Sequence, residues 1–76
     1  MTSESTAWDA FVARHQVGDP VEVTVTNALP FLGSLIETPY GVPGLLKGVR
    51  HKPGTRIRAR IDAIDPERRR IAVVTP

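Results

Sequence analysis

The chain has 76 residues, with ten basic and eight acidic side chains, a net charge of +2 and no cysteine. That length holds one small domain around a single core and leaves no room for a second, and the absence of cysteine excludes disulfides, thiolate metal ligands and a cysteine nucleophile. No apolar run approaches the ~20 residues of a membrane span, and the polar start Thr2-Ser3-Glu4-Ser5-Thr6 lacks the basic and apolar regions of a secretory signal, so the expectation is a soluble, cytoplasmic protein with no membrane partner.

Residues 1–5 read as a disordered tail, and Ser5 or Thr6 as the cap of a short helix over residues 6–16. Trp8, Phe11, Val12 and His15 fall at i, i+3, i+4 and i+7 on one helical face, and Asp9 occupies the first turn, where the helix dipole favours an acid. A helix of about ten residues does not hold in water alone, so this face must pack on the rest of the domain. Trp8 is read as the packing residue, with stacking on a base as its other use. His15 reads as a helix-end histidine, because His51, the other histidine, has no carboxylate or cysteine at ligand spacing beside it.

Gly18-Asp19-Pro20 punctuates the chain, and residues 21–27 then alternate strictly, with valines inward and polar side chains outward, as a strand. After a break at residues 27–30 come two short apolar runs on either side of Pro39-Tyr40-Gly41, read as a hairpin that presents a binding face. Gly33 inside the first run predicts a bulge or a close backbone approach. Residues 48–54 read as a loop whose Arg50, His51 and Lys52 are placed to grip phosphate. Residues 55–62 alternate again: Ile57, Ala59 and Ile61 face the core, while Arg56, Arg58 and Arg60 form an outward row, either guarding an edge strand against aggregation or contacting RNA. Asp65-Pro66-Glu67-Arg68 is a turn, and residues 69–74 close the domain as a last strand. The resulting expectation is an all-β fold, a five-stranded antiparallel barrel of the oligonucleotide-binding (OB) type over residues 17–76, with the short N-terminal helix packed on it.

Charge is partitioned along the chain. Residues 1–46 carry Arg14 against Glu4, Asp9, Asp19, Glu22 and Glu37, a net of −4, whereas the remaining residues carry nine basic side chains against Asp62, Asp65 and Glu67, a net of +6. Such asymmetry favours a polyanionic partner, although it also serves solubility.

The order Trp8, Val17-Gly18-Asp19, residues 21–25, Phe31-Leu32-Gly33, Gly41-Val42-Pro43-Gly44-Leu45-Leu46 and Asp65-Pro66-Glu67-Arg68-Arg69-Arg70-Ile71 resembles the RNA-binding repeat of ribosomal protein S1, the S1 domain, across roughly residues 8–75. That resemblance implies an RNA face of two aromatics on the second strand, a histidine at the end of the third, and an Asp and an Arg flanking the last turn. By position, Phe31 matches the first aromatic, Asp65 the acid and Arg70 the arginine. Ser34 stands where the second aromatic is usual and Lys47 where the histidine is usual. Losing one ring removes about 1–3 kcal/mol of stacking unless Tyr40 or the arginines compensate, and shifts the face toward electrostatics.

Two functions follow from this reading. One is a single-stranded RNA-binding module, with Phe31 and Tyr40 as stacking platforms, Lys47, Arg58 and Arg70 on phosphates, and Asp65 orienting Arg70 or accepting from a base edge. The other is a degenerate domain that docks on a protein partner such as the ribosome, RNA polymerase or another enzyme. Catalysis is not expected: there is no serine with a base, no pair of carboxylates in an apolar setting, and no cofactor or metal motif.

Overall fold

The computed structural model describes residues 3–76, with side chains from Ala7 onward. One helix, α1 (Ser3–Arg14), precedes five strands: β1 (Pro20–Leu29), β2 (Gly33–Glu37), β3 (Pro43–Lys47), β4 (Arg56–Asp65) and β5 (Arg70–Val74). The strands close into a barrel in the order β1-β2-β3-β5-β4, with β4 returning to β1. This is the all-β, OB-type architecture. The hairpins β1–β2, β2–β3 and β4–β5 pair antiparallel, as their short connections require, and β1 pairs antiparallel with β4. Strands β3 and β4 do not pair, and β3 and β5 meet in parallel at the closing seam.

Alternation carries the core. Val21, Val23 and Val25 of β1 are buried, as are Ala59 and Ile61 of β4, and they meet Ile36, Leu46, Ile71 and Val73 inside the barrel. Both long strands extend past the point where their alternation stops. The register shifts between Val25 and Asn27 in β1 and between Ile61 and Ala63 in β4. Each irregularity bends its strand, so β1 pairs first with β4 and then with β2, while β4 pairs first with β1 and then with β5. The Arg56, Arg58 and Arg60 row has β1 beside it along its whole length, while β5 joins on the other side only from Arg60 onward.

Two glycines are fixed by close approach. A Cβ on Gly33, whose φ is +135°, would strike the Leu46 carbonyl oxygen. A Cβ on Gly44 would lie 2.6 Å from the Ile71 carbonyl oxygen and 2.9 Å from Ile36 Cδ1. The first glycine makes the predicted close approach; the second lets β3 and β5 meet.

The helix begins at Ser3, inside the stretch expected to be a tail, because the polar residues before Trp8 include no helix breaker. Met1 and Thr2 and the expected capping side chains of Ser5 and Thr6 lie outside the described residues. At the other end, His15 Nδ1 donates to the Phe11 carbonyl at 3.0 Å and so satisfies one carbonyl of the last turn. Trp8 and Phe11 are buried, and the Phe11 ring stacks on His15 with centroids 4.4 Å apart. Tyr40, in the β2–β3 turn, meets both rings edge-on, at 5.6 Å from Phe11 and 5.5 Å from His15. Thr38 shapes that turn: its Oγ1 accepts from the Tyr40 and Val42 N–H groups, each at 3.2 Å. Helix α1 is thus docked on the end of the barrel that carries this turn.

Candidate nucleic-acid interface

The outer surface of β2, β3 and β5 is set by the same alternation that fills the core. Because Ser34, Ile36, Leu46, Ile71 and Val73 point inward, Leu35, Leu45 and Ala72 point outward, and the register places these three side by side across neighbouring strands. They form the floor of a groove of about 670 Å³. Leu29 and Leu32, at the β1–β2 turn, wall one part of it; Asp65, Arg68 and Arg70, around the β4–β5 turn, wall another. Among the described residues, the large apolar side chains left exposed are Val17, Phe31 and Leu32, so two of the three sit in the β1–β2 turn. In an OB barrel, the strand 2–3 face between these two turns is where oligonucleotides and oligosaccharides bind.

Of the residues singled out in the sequence, Asp65 and Arg70 line this groove as register partners at the start of the last hairpin. Asp65 Oδ1 accepts from the N–H groups of Glu67 at 3.1 Å and Arg68 at 3.3 Å, so the carboxylate holds the turn that carries Arg68. Phe31 lies in the β1–β2 turn, next in sequence to the groove residue Leu32, rather than on β2. It is 102% exposed, and its φ of +69° is a left-handed conformation that a bulky side chain rarely adopts.

Lys47 ends β3, on the same outward side as Leu45, and its Nζ pairs with Asp62 Oδ2 at 2.7 Å. Arg58 lies elsewhere. It sits on β4 opposite Glu22 of β1, and Glu22 is already paired with Arg56 at 3.4 Å.

Two further placements differ from the sequence reading. Ser34 is wholly buried and points into the barrel, where its Oγ donates to the Val49 carbonyl at 2.8 Å and accepts from the His51 N–H at 3.0 Å. It therefore leaves no vacancy for a second ring on the outer face; the outward residue there is Leu35. Tyr40 lies at the opposite end of β2 from Phe31 and packs against α1, so it does not share a face with Phe31. The sequence reading missed Leu29, Leu35 and Arg68. Once Ile36 is taken as inward, alternation alone turns Leu35 outward, but an apolar run reads most readily as core.

No protein-family model matches the chain, and no curated protein matches it. Solved structures do. The uncharacterized protein MJ1198 from Methanocaldococcus jannaschii matches with a TM-score of 0.71 at 23% identity, over 82% of this chain and 93% of that one. A chain of the a/eIF2alpha–aDim2p–rRNA complex from Pyrococcus horikoshii matches with a TM-score of 0.64 at 20% identity, over 78% of this chain and 43% of that one. The apo form of Mycoplasma genitalium RNase R matches with a TM-score of 0.66 at 14% identity, over 95% of this chain and 15% of that one. At these identities the likeness is one of fold, and what the chain shares with all three is its barrel.

Proposed function

We propose that the chain is a non-enzymatic module that binds single-stranded RNA along the groove between the β1–β2 and β4–β5 turns. The observation that carries this reading is the convergence of an exposed aromatic turn and an arginine-bearing turn on one groove at the OB binding position. Phe31 stacks on a base, and the leucines receive the apolar faces of bases and riboses. Arg68 and Arg70 neutralise phosphates. The resemblance to the S1 repeat supports this assignment, as do the settings of two structural neighbours, one solved in a complex with rRNA and the other an RNase. With a single ring at the groove, binding is dominated by charge and weakly selective in sequence.

The test is an NMR titration of amide shifts with short single-stranded RNA at low and near-physiological salt, repeated on Arg70→Ala. Shifts gathered on Phe31, Leu35, Leu45 and Arg70, weakened in the variant, are the expected result. Shifts scattered over the surface and abolished by salt would remove the groove from the function. The aliphatic floor favours a second reading, in which the groove takes an apolar side chain from a protein partner; a silent RNA titration would favour it.

A further inference from the structure

The connection between β3 and β4, residues 48–55, carries Arg50, His51 and Lys52 in succession. Surface loops ordinarily leave their backbone to water and stay mobile. This one is tied to the barrel at three points. At its start, the Gly48 N–H donates to the Leu32 carbonyl at 3.0 Å. At its end, the Gly54 N–H donates to the Val25 carbonyl at 2.7 Å, and the Val25 N–H donates to the Thr55 carbonyl at 2.8 Å. In the middle, the buried Ser34 hydroxyl donates to the Val49 carbonyl and accepts from the His51 N–H. Those two bonds flank Arg50, so its backbone is fixed while its side chain stays in solvent. Lys52 is exposed as well. The ion pairs among the described residues are Lys47–Asp62 and Arg56–Glu22, which leaves Arg50 and Lys52 without a carboxylate at pairing distance.

The position of this loop matters as much as its charge. The Gly48 to Leu32 bond sets its start against the turn whose Leu32 side chain walls the groove. The groove's own arginines lie at the far end. Strand β5 runs parallel to β3 with Ile71 beside Gly44, so Arg70 is level with Pro43, whereas Lys47 and the loop leave from the other end of β3. A strand lying in the groove thus has Arg68 and Arg70 at one end and runs out past Leu32 toward Arg50 and Lys52 at the other.

Resting on the RNA reading of the groove, we infer that residues 48–52 are a second phosphate-binding element for the strand leaving the groove past Leu32. Arg50 and Lys52 make the contacts, and Ser34 is the positioning residue that holds them. Because the backbone is already fixed, little ordering is left to occur on binding.

Two RNAs test this, one of about four nucleotides that fills the groove and one of about twelve that overruns it, both within the site sizes of OB barrels. With Arg50→Ala/Lys52→Ala, affinity for the longer RNA should fall and its salt slope should flatten by about 1.4, at about 0.7 per phosphate on a single strand, while the shorter RNA is unaffected. Ser34→Ala should reproduce the selective loss on the longer RNA. A merely structural serine would weaken both RNAs together, in proportion to the unfolded fraction that a circular-dichroism melt reports.

Unchanged affinity and slope for the longer RNA in the double variant would overturn the inference and leave the groove reading standing. If the shorter RNA fails to bind while the longer one still depends on Arg50 and Lys52, the groove reading falls and the loop remains as a phosphate site of its own. If neither RNA binds the unaltered protein, both fall.

Discussion

Phe31 combines full exposure with a left-handed backbone. For an L-residue that conformation costs roughly 1–2 kcal/mol, and a ring that buries nothing recovers none of it. Glycine removes the penalty but loosens the unfolded chain by about 0.4–1 kcal/mol. Phe31→Gly should therefore leave the melting temperature unchanged or raise it slightly, while weakening RNA binding in the same sample. A melting temperature lowered by more than a few degrees would show that the ring packs on the fold. The sequence marked Phe31 as functional but placed it on a strand, because a left-handed residue leaves no trace in an apolar run. Ser34 was less legible still. A serine is compatible with either face of a strand, and only the approach of the β3–β4 loop, set by tertiary contacts, explains why its hydroxyl is inward and doubly bonded.

Helix α1 was readable from spacing alone, since Trp8 and Phe11 are buried and Val12 and His15 are half-buried on the same face. What spacing did not reveal is the receptor for that face, the Tyr40 turn, because the partner of an amphipathic stripe lies elsewhere in the chain. Trp8 is 8% exposed, and truncating a buried tryptophan costs about 3–5 kcal/mol. In a domain of this size Trp8→Ala should lower the melting temperature by more than about 10 °C. An unchanged melt would mean that the helix does not contribute to the core. The strands were legible only as far as they alternate. In β1 and β4 the two-residue period ends at the irregularities near Thr26 and Asp62, although pairing continues to Leu29 and Asp65. The predicted strands stopped early for that reason.

At the scale of the whole molecule, the rings of α1 belong to the same buried cluster as the barrel's Val23, Ile61 and Val73. A shared core implies a single cooperative transition. Tryptophan fluorescence, which reports α1, and far-UV circular dichroism, which reports mostly the barrel, should give coincident melting curves. A fluorescence transition well below the dichroism transition would show a helix that detaches first. The five-stranded count and the barrel class were available from the sequence, but the β3–β5 seam was not. Pairing between strands that are not consecutive has no local signature, and parallel register here depends on Gly44 allowing the Ile71 backbone to come close.

That seam also sets the order in which the site comes into being. Hairpins β1–β2 and β2–β3 join near neighbours in the chain, whereas Leu45 meets Ala72 only after the whole of β4 has been laid down between them. Contacts between distant parts of a chain carry the larger loop-closure penalty and limit the folding rate. The groove floor crosses this long-range contact, with Leu35 and Leu45 on one side and Ala72 on the other, so a chain in which β5 has not docked lacks the complete floor. A ligand that spans the floor bridges this long-range junction, and so stabilises the closed barrel over any chain in which β5 has come away from β3.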